Sequence, residues 1–283
     1  MYLGYLDGST RLENARKEER IVIGTAALIA LAGFILVLAV SLAVTGLLIA
    51  ERYIPLEFRK AHNDTIGILY GTLHVTFGVI VGFTAFLVLD KYNTSQNTAA
   101  NEAGDIVEIY QLANFFPEAP RDQIQELARS YAQEVVEEEW PLMKKGQSSS
   151  RAEELVTEIE GSIQDFEPST DSERAAYAVE LSRVHDLTQD RNVRLLNLYT
   201  GLPRILWIVL GSLATLIILF SFFLGMENAW LHRWAVGTLT VAFAFIMFTI
   251  VVLDNPFGPG FRVGSDSFER ALNTMQETSE PGA

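Results

Sequence analysis

Long uncharged runs alternate with strongly charged stretches along this chain. Residues 21–50 carry no charge over 30 positions, and residues 66–89 follow, interrupted only by His74. Residues 205–226 and 235–253 complete the set. A helix needs about 20 apolar residues to cross the hydrocarbon core of a bilayer, so the pattern predicts four transmembrane helices. The first run is too long for the apolar core of a signal peptide. The charged interval 227–234 is short, which makes the last two helices an antiparallel hairpin. Trp207, Trp230 and Trp234 fall near the ends of that pair, at the depth where an indole ring is best placed.

Between the second and third runs the apolar positions recur at helical spacing. Ala103, Ile106, Tyr110, Ala113 and Phe116 make one stripe. No proline stands between Leu89 and Pro117, so the second membrane helix is expected to continue as a rod to Phe116. Ile124, Leu127, Tyr131 and Val135 make a second stripe on a helix over 121–140, with Pro141 as its stop. Residues 146–150 read as a flexible linker before a short helix over 151–163. A longer helix starts at Thr170 or Asp171, with Glu173 completing a capping box on Thr170. Its apolar face is Tyr177, Leu181, Val184, Leu187, Leu195 and Leu198, before Gly201 and Pro203 interrupt it.

The fold class is therefore all-α: a polytopic membrane protein whose helical cytosolic domain is inserted between transmembrane helices two and three. The expected divisions are a cytosolic segment 1–20, membrane helices one and two over 21–90, and the inserted domain over 91–203. Membrane helices three and four then occupy 204–253, and a cytosolic tail occupies 254–283.

Charge adds an orientation. Arg11, Arg16, Lys17, Arg20, Lys91, Arg191, Arg194, Arg204, Arg262 and Arg270 lie on the side of the termini and the insert. Arg52, Arg59, Lys60 and Arg233 lie on the other. The positive-inside rule puts both termini and the insert in the cytoplasm, for an integral protein of the plasma membrane. The net charge is −14, and residues 91–200 hold 21 carboxylates against 10 Lys and Arg. A solvated acidic face is the plain reading. The sharper one is a cation-attracting vestibule, for which Glu137, Glu138 and Glu139 are the densest run.

Inside the membrane, the second run is the most informative. Gly67, Gly71, His74, Gly78 and Gly82 recur at spacings of three and four and share one helix face. Small residues in this pattern let helices approach closely, or leave room for ions and water along a pore. His74 is ionisable at membrane depth, which makes it a functional candidate. The adjoining flank carries Tyr70, Leu73, Phe77 and Val81, bulk suited to a dewetting constriction.

Cysteine is absent, which excludes disulfides and thiolate metal sites. No nucleotide-binding, zinc or nucleophile-elbow motif is present, and His62, His74, His185 and His232 form no ligand pair at helical spacing. The chain does not read as an enzyme, and nothing implies a cofactor, a metal or a nucleic-acid partner. The expected partners are the lipid bilayer, inorganic ions and further copies of the chain. A non-conducting membrane scaffold is the competing class.

Several short motifs resemble one family. They are Glu102-Ala103, Glu139-Trp140-Pro141-Leu142-Met143, Arg191-Asn192-Val193-Arg194, Pro203 with Leu206-Trp207, and Leu253-Asp254-Asn255-Pro256-Phe257-Gly258. Together they resemble the bestrophin-like family of membrane proteins over roughly residues 40–275. The resemblance implies four membrane helices, cytosolic termini and a helical cytosolic domain, as in bestrophins. Bestrophins are pentameric anion channels gated at a hydrophobic neck on the second membrane helix, where Leu73, Phe77 and Val81 offer apolar bulk at four-residue spacing. The expected function is an oligomeric, pentameric ion channel passing anions such as chloride or bicarbonate, its pore lined by the second membrane helix. The acidic insert keeps a cation channel in view.

Overall fold

The computed structural model describes residues 30–258 and 262–279. The expected segment 1–20 and the start of the first run at residue 21 lie outside the described residues. Regular structure among the described residues is entirely helical: α1 (Ala30–Tyr53), α2 (Leu56–Ala61), α3 (Asn63–Leu112), α4 (Glu118–Glu134), α5 (Trp140–Met143), α6 (Ser150–Gln164), α7 (Asp171–Tyr199), α8 (Arg204–Ser221), α9 (Ala229–Asp254) and α10 (Asp266–Ser279). Four stretches, carried by α1, α3, α8 and α9, are long and apolar enough to cross a membrane.

Helix α3 runs unbroken for 50 residues, as the absence of proline predicts. It ends in a 3-10 turn over Ala113–Phe115, and Phe116 turns extended before Pro117, because the proline ring pushes its predecessor out of helical conformation. The expected start of α7 is also met: Thr170 and Glu173 form a reciprocal capping box.

Four sequence readings are corrected. Pro141 does not stop its helix. Between α4 and α5 the chain makes a π turn over Val135–Glu139, in which the Trp140 N–H reaches back to the Val135 carbonyl. The extra residue in that turn absorbs the missing N–H and the bulk of the proline ring. The last hairpin is also displaced: α8 ends at Ser221 and α9 begins at Ala229. Asn228 Oδ1 accepts from the backbone N–H groups of Trp230 and Leu231, each at 3.1 Å, and so starts α9 earlier than charge alone suggests. Leu181 is 40% exposed, and the buried face of α7 is instead Ala176, Glu180, Val184, Leu187, Arg191 and Arg194. Residues 146–150 are no loose linker, since Ser149 is buried and caps α6 by accepting from Ala152 N.

The chain forms two compact units. One comprises the described residues up to Leu89 with Leu202–Asp254. Its core joins Phe77 and Val88 of α3 to Leu210, Ala214 and Ile217 of α8 and to Phe243 and Ile250 of α9. Helix α1 packs Ala43 and Leu47 against Phe222 and Val236. The loops here meet closely: Asn63 receives a hydrogen bond from Gly225 N at 2.7 Å and donates to Gly225 O at 3.1 Å. A Cβ on Gly225 would stand 2.5 Å from Lys60 N, so only glycine fits. Phe34, Leu42, Val75, Phe86, Ile208 and Phe245 are exposed, as lipid-facing positions are in a bilayer solvent.

The other unit comprises Asp90–Gly201 and the described residues from Asn255 onward. Ile106, Ile109 and Tyr110 of α3, Ile124 and Tyr131 of α4, Ile159 of α6, Leu187 of α7, and Phe268 and Met275 of α10 share one core.

Candidate functional site

The two stripes weighed on α3 turn different ways. Gly67, Gly71, Gly78 and Gly82 are all exposed, and a Cβ built on any of them meets nothing within 4 Å. These glycines therefore do not serve close packing within the chain. The bulky flank does the opposite. Phe77 is 3% exposed and its ring lies 4.6 Å from that of Phe243, while Leu73 and Val81 are half-buried against the same core. The Phe77 ring is taken up by the chain's own helices, where large side chains supply the van der Waals contact that holds bilayer helices together. Leu73 and Val81 turn with it.

His74 stands at the border of the two faces and is half-buried. Its Nδ1 lies 2.8 Å from the Tyr70 carbonyl. A carbonyl oxygen can only accept, so Nδ1 carries the proton and Nε2 is left as the second ring position. The ring packs 4.2 Å from that of Tyr70 and 6.2 Å from that of Phe243.

In the other unit the motif residues assemble into one buried charge network. Glu102 comes from α3, Glu139 from the π turn, and Arg191 and Arg194 from α7. Arg194 grips Glu102 with Nε and Nη2 at 2.6 and 2.8 Å and reaches Glu139 at 2.7 Å. Arg191 binds the same Glu139 oxygen at 2.6 Å and the Ser149 carbonyl at 3.3 Å. Ser149 N donates to the remaining Glu139 oxygen at 3.2 Å, and the Tyr131 hydroxyl donates to Glu102. Both glutamates and Arg194 are fully buried. Two carboxylates face two guanidinia, so the charge closes on itself.

Burial by itself would raise the Glu139 carboxyl, yet Arg194 and Arg191 more than offset it and hold Glu139 below its usual range. Burial would lower Arg194, and Glu102 with Glu139 pushes it well up instead. The network is walled by aromatic rings: the Arg194 guanidinium lies 5.1 Å from the Trp140 ring centre. Trp140 in turn packs against Phe257 and Phe268 at 6.0 and 5.7 Å and donates to Val263 O at 3.3 Å.

Glu139 is thus corrected as a vestibule charge, because two arginines neutralise it out of reach of solvent. Glu137 and Glu138 are exposed. A cleft of about 400 Å³ opens elsewhere in this unit, lined by Asp105, Glu108, Asp186, Asp190, Arg183 and Asn101 among others. Burial and the neighbouring Asp190 and Asp186 raise Asp105 to about 6. Asp254, quoted as part of a motif, accepts from Leu202 N at 2.9 and 3.1 Å and so ties the entry of α8 to the exit of α9. Sequence reasoning missed Ser149 and Tyr131 as members of the network. The available signal was charge on a helix face that is otherwise apolar, with Arg191 and Arg194 in register with Val184 and Leu187.

Comparison with known proteins follows the same lines. Residues 37–268 match the family model described as Bestrophin-like domain. A bacterial bestrophin homologue from Klebsiella pneumoniae, solved by zinc phasing, superposes with a TM-score of 0.64 at 11% identity, covering 86% of this chain and 98% of that one. Two single-substitution variants of a Klebsiella pneumoniae homologue give TM-scores of 0.65 and 0.66 at 11% and 12% identity. Each covers 86% of this chain, and 98% and 96% of theirs. No curated protein sequence matches the chain.

Proposed function

The chain belongs to the bestrophin-like family, and we propose that it is an ion channel of the plasma membrane, built from several copies around an axis lined by the glycine face of α3. The resemblance to bestrophins favours five copies and anions such as chloride or bicarbonate. The observation that carries the reading is the open stripe of Gly67, Gly71, Gly78 and Gly82, which the subunit's own side chains leave unfilled. A scaffold with no conduction path would bury that stripe within the subunit. His74 borders the stripe and supplies its polar edge.

Purified protein in planar bilayers tests this through reversal potentials in asymmetric salt. Currents reversing toward the chloride potential are the expected result, and no current at any voltage, pH or calcium level would contradict channel function. A cation-selective channel has an observation of its own: exposed Glu137 and Glu138 together with the acidic cleft at Asp105 and Asp190. Reversal toward the cation potential, weakened by Glu137→Gln with Glu138→Gln, would select that reading.

A further inference from the structure

Glu180 lies on the buried face of α7 between Ala176 and Val184, within the apolar core of its unit. It is fully buried, and neither carboxylate oxygen has a hydrogen-bond partner. The charged groups around it are committed elsewhere. Arg183, one turn along α7, binds Glu108 at 2.6 Å and also contacts Asp186 and Asp105 at 3.4 and 3.5 Å. Arg174, a turn and a half before it, pairs with Asp171. Arg191 and Arg194 are closed onto Glu139 and Glu102.

On α6, which packs against α7, Arg151 holds Glu154 and Glu158 at the surface, and Glu153 and Glu160 are exposed. From α4, Arg129 lies over the Tyr110 ring. The turn Ala113–Phe115 also packs against α7 and carries no titratable side chain. Tyr177 is the titratable neighbour one turn earlier. An ionised carboxylate without donor or counter-ion in such a core is heavily penalised.

We propose that Glu180 is a proton-operated lock on α7: with its proton the side chain is a neutral member of the core, and giving up the proton requires α7 to part from α6. Burial, unopposed by any charge, raises the packed carboxyl to about 8, whereas in the opened segment it titrates in the ordinary carboxylate range. The sign follows. Opening is least favourable at low pH, gains about tenfold per pH unit between the two values, and levels off above the higher one. Asp105 and Asp190 are also raised and add slope of the same sign, so the lock is read as a difference between wild type and variant.

Hydrogen exchange of the α7 amides in the full-length protein in nanodiscs, corrected for the intrinsic pH dependence of exchange, measures the opening. From about pH 5.5 to about pH 7.5 the wild type is expected to gain about tenfold per unit over Glu180→Gln. Glu180→Met, which restores apolar volume at the site, should keep only the residual slope that Glu180→Gln shows and be better protected than it at every pH. Difference infrared spectroscopy provides the independent reading: a protonated-carboxyl band present at neutral pH and absent from Glu180→Gln. Equal pH slopes in the wild type and both variants, or no such band at neutral pH, would overturn the proposal.

Discussion

Arg194 shows what a charged side chain demands of a core. It is fully buried, yet its donors reach Glu102, Glu139 and Met143 Sδ, the last at 2.8 Å. Removing it leaves the buried Glu102 carboxylate without its counter-ion and Glu139 with Arg191 alone, so Arg194→Ala should lower stability by about 3–5 kcal/mol, measured by thermal or denaturant unfolding of the purified protein. Arg194→Lys keeps the charge but not the planar fork, and should recover only part of the loss. Glu139 adds a pH dependence. Its carboxyl is held below the ordinary range, so its stabilising contribution is present above the unfolded value and is lost as pH falls through the folded one. Glu139→Gln should therefore unfold with a shallower acid limb than wild type. At this scale the sequence displayed Glu139, Arg191 and Arg194 as pattern elements, but nothing local says that residues 52 positions apart in the chain meet. Ser149 was hidden for a simpler reason: a Gly-Gln-Ser run looks the same whether its backbone is solvated or is donating to a buried glutamate.

Helices divide into those whose ends were legible and those set by partners. The capping box of α7 and the proline-free length of α3 are local properties, and both are seen in the structure. The start of α9 and the passage through Pro141 depend on Asn228 and on a π turn, neither of which has a strong local signature. The buried face of α7 was misassigned because periodicity was counted on apolar residues alone, while three of its six inward positions carry ionisable side chains. Glycines make the sharpest contrast between elements. Gly78→Ala meets nothing within 4 Å, and should be neutral or stabilising by about 0.5–1 kcal/mol through the gain in helix propensity. Gly225→Ala places a Cβ against the Lys60 backbone and should destabilise the same unit. The two melting temperatures compared with wild type check both statements.

On the scale of the whole molecule, four apolar runs and one acidic insert were enough to read an all-helical membrane protein, because a bilayer permits few other solutions for uncharged stretches of that length. Which side of α3 is open was not legible: a glycine stripe and an apolar flank one step apart on a helix are equally suited to packing until the other helices are in place. With Phe77 in the core of its unit and the glycines unfilled, the glycine side is the one we propose for ions. The chain has no cysteine, so single cysteines report on this without background. The direct measurement is current through bilayer-reconstituted Gly78→Cys and Phe77→Cys channels before and after a charged, membrane-impermeant thiol reagent. The account predicts rapid modification and a changed conductance at Gly78→Cys, with no response at Phe77→Cys. Modification at Phe77→Cys with none at Gly78→Cys would contradict it.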